Sequence, residues 1–155
     1  MKGLSFFKNL EDLDAESKYL VHKAKEATQL SYAPYSRFHV GAALLLEDGS
    51  VVLGANQENA AYPLCMCAER VALYAAASQF PGKAIKKMAV VAQKKNHKEL
   101  SNASSCGACR QVMLEFEARQ GSPILIVMME GDQWTLCSSA SILLPLSFSS
   151  SNLKE

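Results

Sequence analysis

The chain lacks an excess of either charge: sixteen Lys and Arg meet fifteen Asp and Glu, a formal balance of +1. A non-specific nucleic-acid binder carries a clear basic surplus to neutralise phosphates, so that class is excluded. Long apolar runs are missing as well, and no segment approaches the ~18 consecutive apolar residues of a membrane helix. At the amino end, MKGLSFFKNLED, the charges of Lys8, Glu11 and Asp12 cut the apolar stretch far short of a secretory signal. A cytoplasmic chain is the expectation. Internal repeats and linker-like breaks are also absent, which predicts a single domain over residues 1–155. Apolar residues at 49% and charged residues at 20% then give a globular composition. A chain of this length buries roughly 70% of its unfolded surface, enough for a real core.

Cysteine is what stands out. There are five, an odd number, and two sets lie close together at 65/67 and 106/109. A secreted disulfide framework does not look like that, whereas clustered thiols in a reducing compartment serve as metal ligands or nucleophiles. The three histidines are isolated from the cysteines. His22 reads as a helix-surface residue, His97 as a loop residue and His39 as a strand residue without an evident role.

Periodicity sketches the elements. Residues 12–31 have the apolar stripe Tyr19, Leu20, Ala24, Ala27 and Leu30 with acidic residues at the amino end, a helix ended by Pro34. His39–Leu46 and Val51–Gly54 read as strands joined by the Glu47-Asp48-Gly49-Ser50 turn. Cys67–Gln79 reads as a helix, Lys87–Gln93 as a strand, and KKNHKELSNASS as a polar crossing to a helix over 107–120. Pro123–Met129 reads as a strand buried on both faces, followed by a strand at Trp134–Cys137 and a short helix near Ala140–Leu144. Helices alternating with strands imply an α/β fold, a three-layer α/β/α sandwich over a mixed five-stranded sheet.

The cysteines open two of these helices, Cys67 in CAER and Cys106 with Cys109 in CGACR. Helix amino termini present unpaired N–H groups and partial positive charge, which favour thiolates and hence metal binding. Three sulfurs suit zinc, and three protein ligands leave a fourth position for water, the mark of a catalytic site. Three thiolates and one Zn2+ sum to −1, an excess that Arg70 and Arg110 are placed in sequence to offset by hydrogen bonds to sulfur. Glu69 is placed as a proton carrier. Alternatively, Cys65, Cys67, Cys106 and Cys109 form a four-thiolate structural site. Cys137, on an apolar strand, reads as core.

SRFHVGAALL (36–45), GANQENAAYPLCMCAER (54–70), SCGACRQVMLEF (105–116) and LLPLSF (143–148) together resemble the small cytidine deaminases with three cysteine zinc ligands, in the family's order and over about residues 17–153. The resemblance implies one Zn2+ per chain on Cys67, Cys106 and Cys109, with Glu69 as proton shuttle. It implies that Asn56 and Glu58 hold the ribose, that Phe38 packs on the pyrimidine and that the Ala68 N–H meets a ring oxygen. It implies a homotetramer in which Phe148 reaches a neighbouring subunit's pocket and Tyr62, with Tyr35, lines the site or the subunit contact. The implied reaction is hydrolytic deamination of cytidine and 2′-deoxycytidine to the uridines with release of ammonia, as in pyrimidine salvage, an uncharged nucleoside suiting a near-neutral chain. Rivals are a zinc deaminase for blasticidin S or a modified nucleoside, a polynucleotide deaminase, and a non-catalytic zinc-binding domain. Two departures are visible. Ser105 stands where the motif usually has proline, and the tail reads SSSN where glycine-proline and an acidic residue are common.

Overall fold

The structure is a computed structural model and describes residues 2–153. In chain order it runs β1 (Leu4–Phe7), α1 (Ala15–Ala27), β2 (Phe38–Leu46), β3 (Val51–Ala55), α2 (Ala68–Gln79), β4 (Ile85–Lys94), α3 (Gly107–Gln120), β5 (Leu125–Glu130), β6 (Gln133–Cys137) and α4 (Ala140–Leu143). The sheet has six strands, not the expected five, in the order β1-β6-β5-β4-β2-β3. The additional strand is β1, which pairs antiparallel with β6 from Leu4↔Cys137 to Phe7↔Trp134. The helix expected over 12–31 is shorter, with 3-10 turns at Leu10–Asp12 and Thr28–Leu30 on either side of α1.

Alternation along the strands sorts the core into two clusters. Ala42, Leu44 and Leu46 of β2, Met88, Val90 and Ala92 of β4 and Ile126 of β5 pack with Ala72 and Leu73 of α2 and Met113 and Phe116 of α3. Their sheet neighbours Ala43, Leu45, Ala89, Val91 and Val127 pack instead with Leu20, Val21 and Ala24 of α1. Two glycines allow helices to lie against the sheet. A Cβ on Gly41 would sit 2.0 Å from the Ala24 carbonyl oxygen of α1, and one on Gly54 would sit 2.4 Å from the Ala68 carbonyl oxygen of α2.

Strand direction explains where the cysteines go. β2 is antiparallel to both β3 and β4, and β4 is parallel to β5. Strands β3 and β4 therefore run the same way, and the segments leaving them emerge at one end of the sheet. Helices α2 and α3 both begin there, at the carboxyl ends of the strands, where ligand sites of open α/β sheets form.

Asp14 starts α1, accepting the Ser17 N–H at 2.9 Å and the Ser17 hydroxyl at 2.5 Å. It also pairs at 3.0 Å with Lys87, a buried lysine whose ammonium reaches Glu16 at 3.1 Å. Burial alone would raise the Asp14 pKa, but the bonds from Ser17 and Lys87 outweigh it and hold the group at about 2, below its ordinary 3.8. A carboxyl depressed in the folded state gives stability that is complete above pH 3.8 and is lost as pH falls towards about 2. Asp14→Ala should lower stability at pH 7 by about 1–2 kcal/mol through the lost cap and the lost Lys87 partner. It should also flatten the stability-against-pH slope across that acid window. Urea unfolding at pH 7 and pH 3 measures both, and an unchanged acid slope would count against the assignment.

Candidate active site

Cys67 is the N-cap of α2 and Cys106 the N-cap of α3, both with extended backbone angles. The Cys106 sulfur accepts the Cys109 N–H at 3.5 Å, which folds the C-x-x-C pair around the first turn of α3. Cys67 Sγ lies 3.8 Å from Cys106 Sγ, Cys106 Sγ lies 3.4 Å from Cys109 Sγ, and all three lie within 4.8 Å of one another. A tetrahedral zinc with Zn–S bonds of about 2.3 Å sets its sulfurs about 3.8 Å apart, so the donor set fits that ion in both chemistry and spacing. Cys65 is not in the group. Its sulfur accepts the Asn59 N–H at 3.2 Å, so the four-thiolate arrangement is not assembled among the described residues. Cys137 is buried in the core, its thiol donating to the Ser139 carbonyl at 3.1 Å.

The three thiols do not share one acidity. A hydrogen bond from the Cys109 thiol, helped by Arg70 and Cys106, pulls Cys67 down to about 5 against the effect of burial. Its bond to Cys67, together with burial, pushes Cys109 upward. Sulfurs packed this closely cannot all ionise unless a cation shares their charge. Arg70 is one such charge, its Nη2 donating to Cys67 Sγ at 3.5 Å. Arg110, the other arginine expected to serve the sulfurs, does not. Its Nε donates to the Ser105 carbonyl at 2.8 Å and its Nη1 to the Leu143 carbonyl at 3.0 Å. One residue past Cys109, it points off the thiol face of α3 by a helical step of 100°.

Glu69 follows Cys67 by two residues and is only 4% exposed. Burial raises its carboxyl pKa. It faces a cavity of about 350 Å3 whose walls include Cys67, Cys106, Ala68, Arg70, Phe38, Asn56 and Glu58. That volume is at the small end of ligand pockets. Asn56 is already engaged, its Oδ1 accepting Ser31 Oγ at 2.6 Å and the Val40 N–H at 2.8 Å while Nδ2 donates to the Phe38 carbonyl at 2.9 Å. It thereby ties the start of β2 to the loop after β3. Glu58 accepts the backbone N–H of Tyr35 at 2.9 Å and of Ser36 at 3.2 Å, holding the loop before Phe38 in place.

Two expected residues do not line this cavity within one chain. Tyr62 is 70% exposed and sits edge-on to Tyr35, ring centroids 6.1 Å apart, in a shallow groove next door. Phe148 is 60% exposed, and its carbonyl accepts the Gln111 amide at 2.8 Å. A wall missed in the sequence is Asn102–Ala103–Ser104, part of the segment read as a plain surface crossing. It doubles back because the Ser101 N–H donates to the Ala92 carbonyl at 2.8 Å and the Ala103 N–H to the Met129 carbonyl at 2.9 Å. The available signal was Asn102 two residues before Ser104. Its side chain accepts the Ser104 N–H at 3.2 Å, a local turn that such a pair favours.

Residues 14–122 match the family model described as the cytidine and deoxycytidylate deaminase zinc-binding region. The chain is 40% identical over 140 residues to a cytidine deaminase of Halalkalibacterium halodurans, covering 90% of this chain and 99% of that protein. It is 40% identical over 134 residues to a cytidine deaminase of Sporosarcina psychrophila, covering 86% of this chain and 92% of the relative. The crystal structure of the Burkholderia pseudomallei cytidine deaminase superposes with a TM-score of 0.69 at 41% identity, covering 88% of this chain and all of that one. With three sulfurs gathered at two helix amino ends and a buried glutamate beside them, this chain belongs to the zinc-binding cytidine and deoxycytidylate deaminase family.

Proposed function

We propose that the protein is a zinc-dependent hydrolase that deaminates cytidine and 2′-deoxycytidine to the uridines and ammonia. The observation that carries it is the three-sulfur cluster with Glu69 buried against it in a cavity of nucleoside dimensions. Cys67, Cys106 and Cys109 hold one Zn2+ per chain, which supplies Lewis acidity that brings the pKa of a water towards neutrality. Arg70 donates to Cys67 and reduces the negative charge of the thiolate set. Glu69 takes the proton of the attacking water, delivers it to pyrimidine N3, and later carries a proton to the departing amine at C4. A carboxyl with an upward-shifted pKa suits alternating proton acceptance and release. Phe38 packs on the base. Asn56 and Glu58 receive the ribose, already aligned by their backbone bonds, and the Ala68 N–H meets the ring oxygen.

The family resemblance extends the proposal to a cytoplasmic homotetramer of single-domain chains with an α/β/α layering. The two apolar clusters on either side of the sheet support that layering. Phe148 and Tyr62, exposed in one chain, become pocket and contact residues at a neighbour. Loss of cytidine absorbance with purified protein, before and after chelation and beside a zinc count per chain, tests the core of the reading. No turnover by a fully zinc-loaded protein would overturn it.

Cys65 separates a three-ligand catalytic site from a structural one. Cys65→Ala should keep one zinc per chain and kcat within about tenfold of the parent, since Cys65 borders the cavity but stands outside the three-sulfur cluster and its hydrogen bonds go to Asn59 alone. Metal analysis with a cytidine assay checks this, and loss of zinc would favour the four-thiolate site.

A further inference from the structure

Many basic side chains of the molecule are engaged. Lys18, Lys23, Lys83, Lys86 and Lys87 each pair with a carboxylate, and Arg70 and Arg110 have the partners given above. Where β2 starts beside the end of β4 the pattern breaks. Arg37, Lys94 and Lys95 are exposed there, and among the described residues none of the three pairs with a carboxylate. They line two adjoining hollows of about 330 and 420 Å3, which share Lys94, Lys95, Asn96 and His97. No acidic residue lines either hollow. The carbonyls of this corner are taken as well. That of Arg37 accepts the Lys95 N–H at 3.0 Å, and that of Lys94 accepts the His97 N–H at 3.1 Å. The Gln93 amide donates to the His97 and Lys98 carbonyls at 2.7 and 3.1 Å. With its acceptors occupied and its cations unpaired, the corner is complementary to an anion. Three separate charges around hollows of ligand-pocket size suit a phosphate chain better than a single phosphate.

Two connections lead from this corner to the nucleoside cavity. Phe38 lines both, and it pairs with Lys94 at the end of the β2–β4 ladder. Ser31 and His39 line the other hollow. The Ser31 hydroxyl lies 3.1 Å from His39 Nδ1 and donates to Asn56 at 2.6 Å. Unpaired cations on Arg37, Lys94 and Lys95 repel one another across the two strands, and a polyanion between them removes that repulsion. We propose that Arg37, Lys94 and Lys95 form a binding site for the triphosphate chain of a nucleotide, and that its occupancy tightens the nucleoside cavity through Phe38 and Ser31. The coupling rests on the deaminase reading above, while the binding does not.

The test titrates the zinc-loaded protein at low salt with inorganic tripolyphosphate, ATP and orthophosphate, counting zinc per chain after each titration. Tripolyphosphate at about a hundredfold over its Kd should raise Tm by about 5 °C, and it should bind about tenfold more tightly than orthophosphate. ATP, whose purine is too large for a pyrimidine cavity, should bind at least as tightly as tripolyphosphate. Lys94→Glu combined with Lys95→Glu should weaken both about thirtyfold or more, with zinc content and basal kcat unchanged. The same charge change beside the edge strand β1, Lys2→Glu with Lys8→Glu, should leave binding within about twofold of the parent. Saturating tripolyphosphate should lower KM for cytidine about threefold at constant kcat. Equal losses in the two double variants would show attraction to net charge only and overturn the site. Orthophosphate binding as tightly as tripolyphosphate, or ATP binding tenfold more weakly than it, would overturn the ligand class. An unchanged KM at saturation would overturn the coupling. If the protein does not deaminate cytidine, the deaminase reading fails on its own, and the Tm shift and titrations still decide the site.

Discussion

Glu69→Gln should leave one zinc per chain and reduce kcat for cytidine by about 10^4-fold, the upper end of what a single acid–base group contributes. The side chain keeps its length and one acceptor oxygen, so the cavity and the three sulfurs are undisturbed. What disappears is the capacity to accept a proton. In the proposed mechanism the same residue serves as base towards water and acid towards the pyrimidine, so both halves of the reaction should fail together. KM should change little, because Glu69 contributes chiefly to the transition state. Zinc analysis, thermal unfolding and steady-state kinetics on the one variant separate loss of chemistry from loss of structure. Residual activity within tenfold of the parent would sink the assignment of Glu69.

The second large effect is structural. Gly54→Ala places a Cβ 2.4 Å from the Ala68 carbonyl oxygen and 2.5 Å from the Ala72 nitrogen, both in the backbone of α2. Neither atom can rotate away, so the helix itself must move. We expect a loss of about 3 kcal/mol or more in urea unfolding, above the usual cost of one added methyl in a core. The displaced helix begins immediately after Cys67 and carries Glu69, so zinc content should fall with stability. Trimming the neighbouring side chain by Ala72→Gly should not restore either, since the obstruction is main chain. Rescue by that second change would show that the close approach is not what fixes α2.

Much of the site was legible because its information is local. Cys67 and Cys106 cap helices whose starts were readable from composition, and α3 falls on the expected 107–120. What was not legible depends on partners distant in the chain. The segment LSFF is short and becomes a strand only because β6 lies beside it more than a hundred residues later. By resemblance Asn56 reads as a ribose ligand. That it braces Ser31, Phe38 and Val40 follows from the β2–β3 hairpin meeting the end of α1. Arg110 adjoins the ligand Cys109 in sequence, yet helical geometry directs it to carbonyls of Ser105 and Leu143. Proximity along a helix is not proximity in space. Phe148 lies outside its own chain's cavity, in keeping with the neighbour's pocket that the family resemblance implies for it, and the direction of the tail depends on packing. Glu117 contributes to that packing, accepting the Ile124 and Ala140 N–H groups at 2.7 Å and the Ser139 hydroxyl at 2.8 Å, and so anchoring the launch of α4.

The short strand β1 has a consequence beyond completing the sheet. It pairs with the outer side of β6 and so becomes the sheet's edge itself, replacing the row of unpaired donors and acceptors on β6 beside Trp134, Thr135 and Leu136 with that of a strand only four residues long. A long open margin is a template for strands of other molecules, and folded proteins commonly keep their edge strands short. Four residues near the amino terminus thus act as a selvedge. Clipping the chain at Lys8 would leave the zinc cluster in place but turn the far rim of the sheet into a surface that recruits other chains and aggregates.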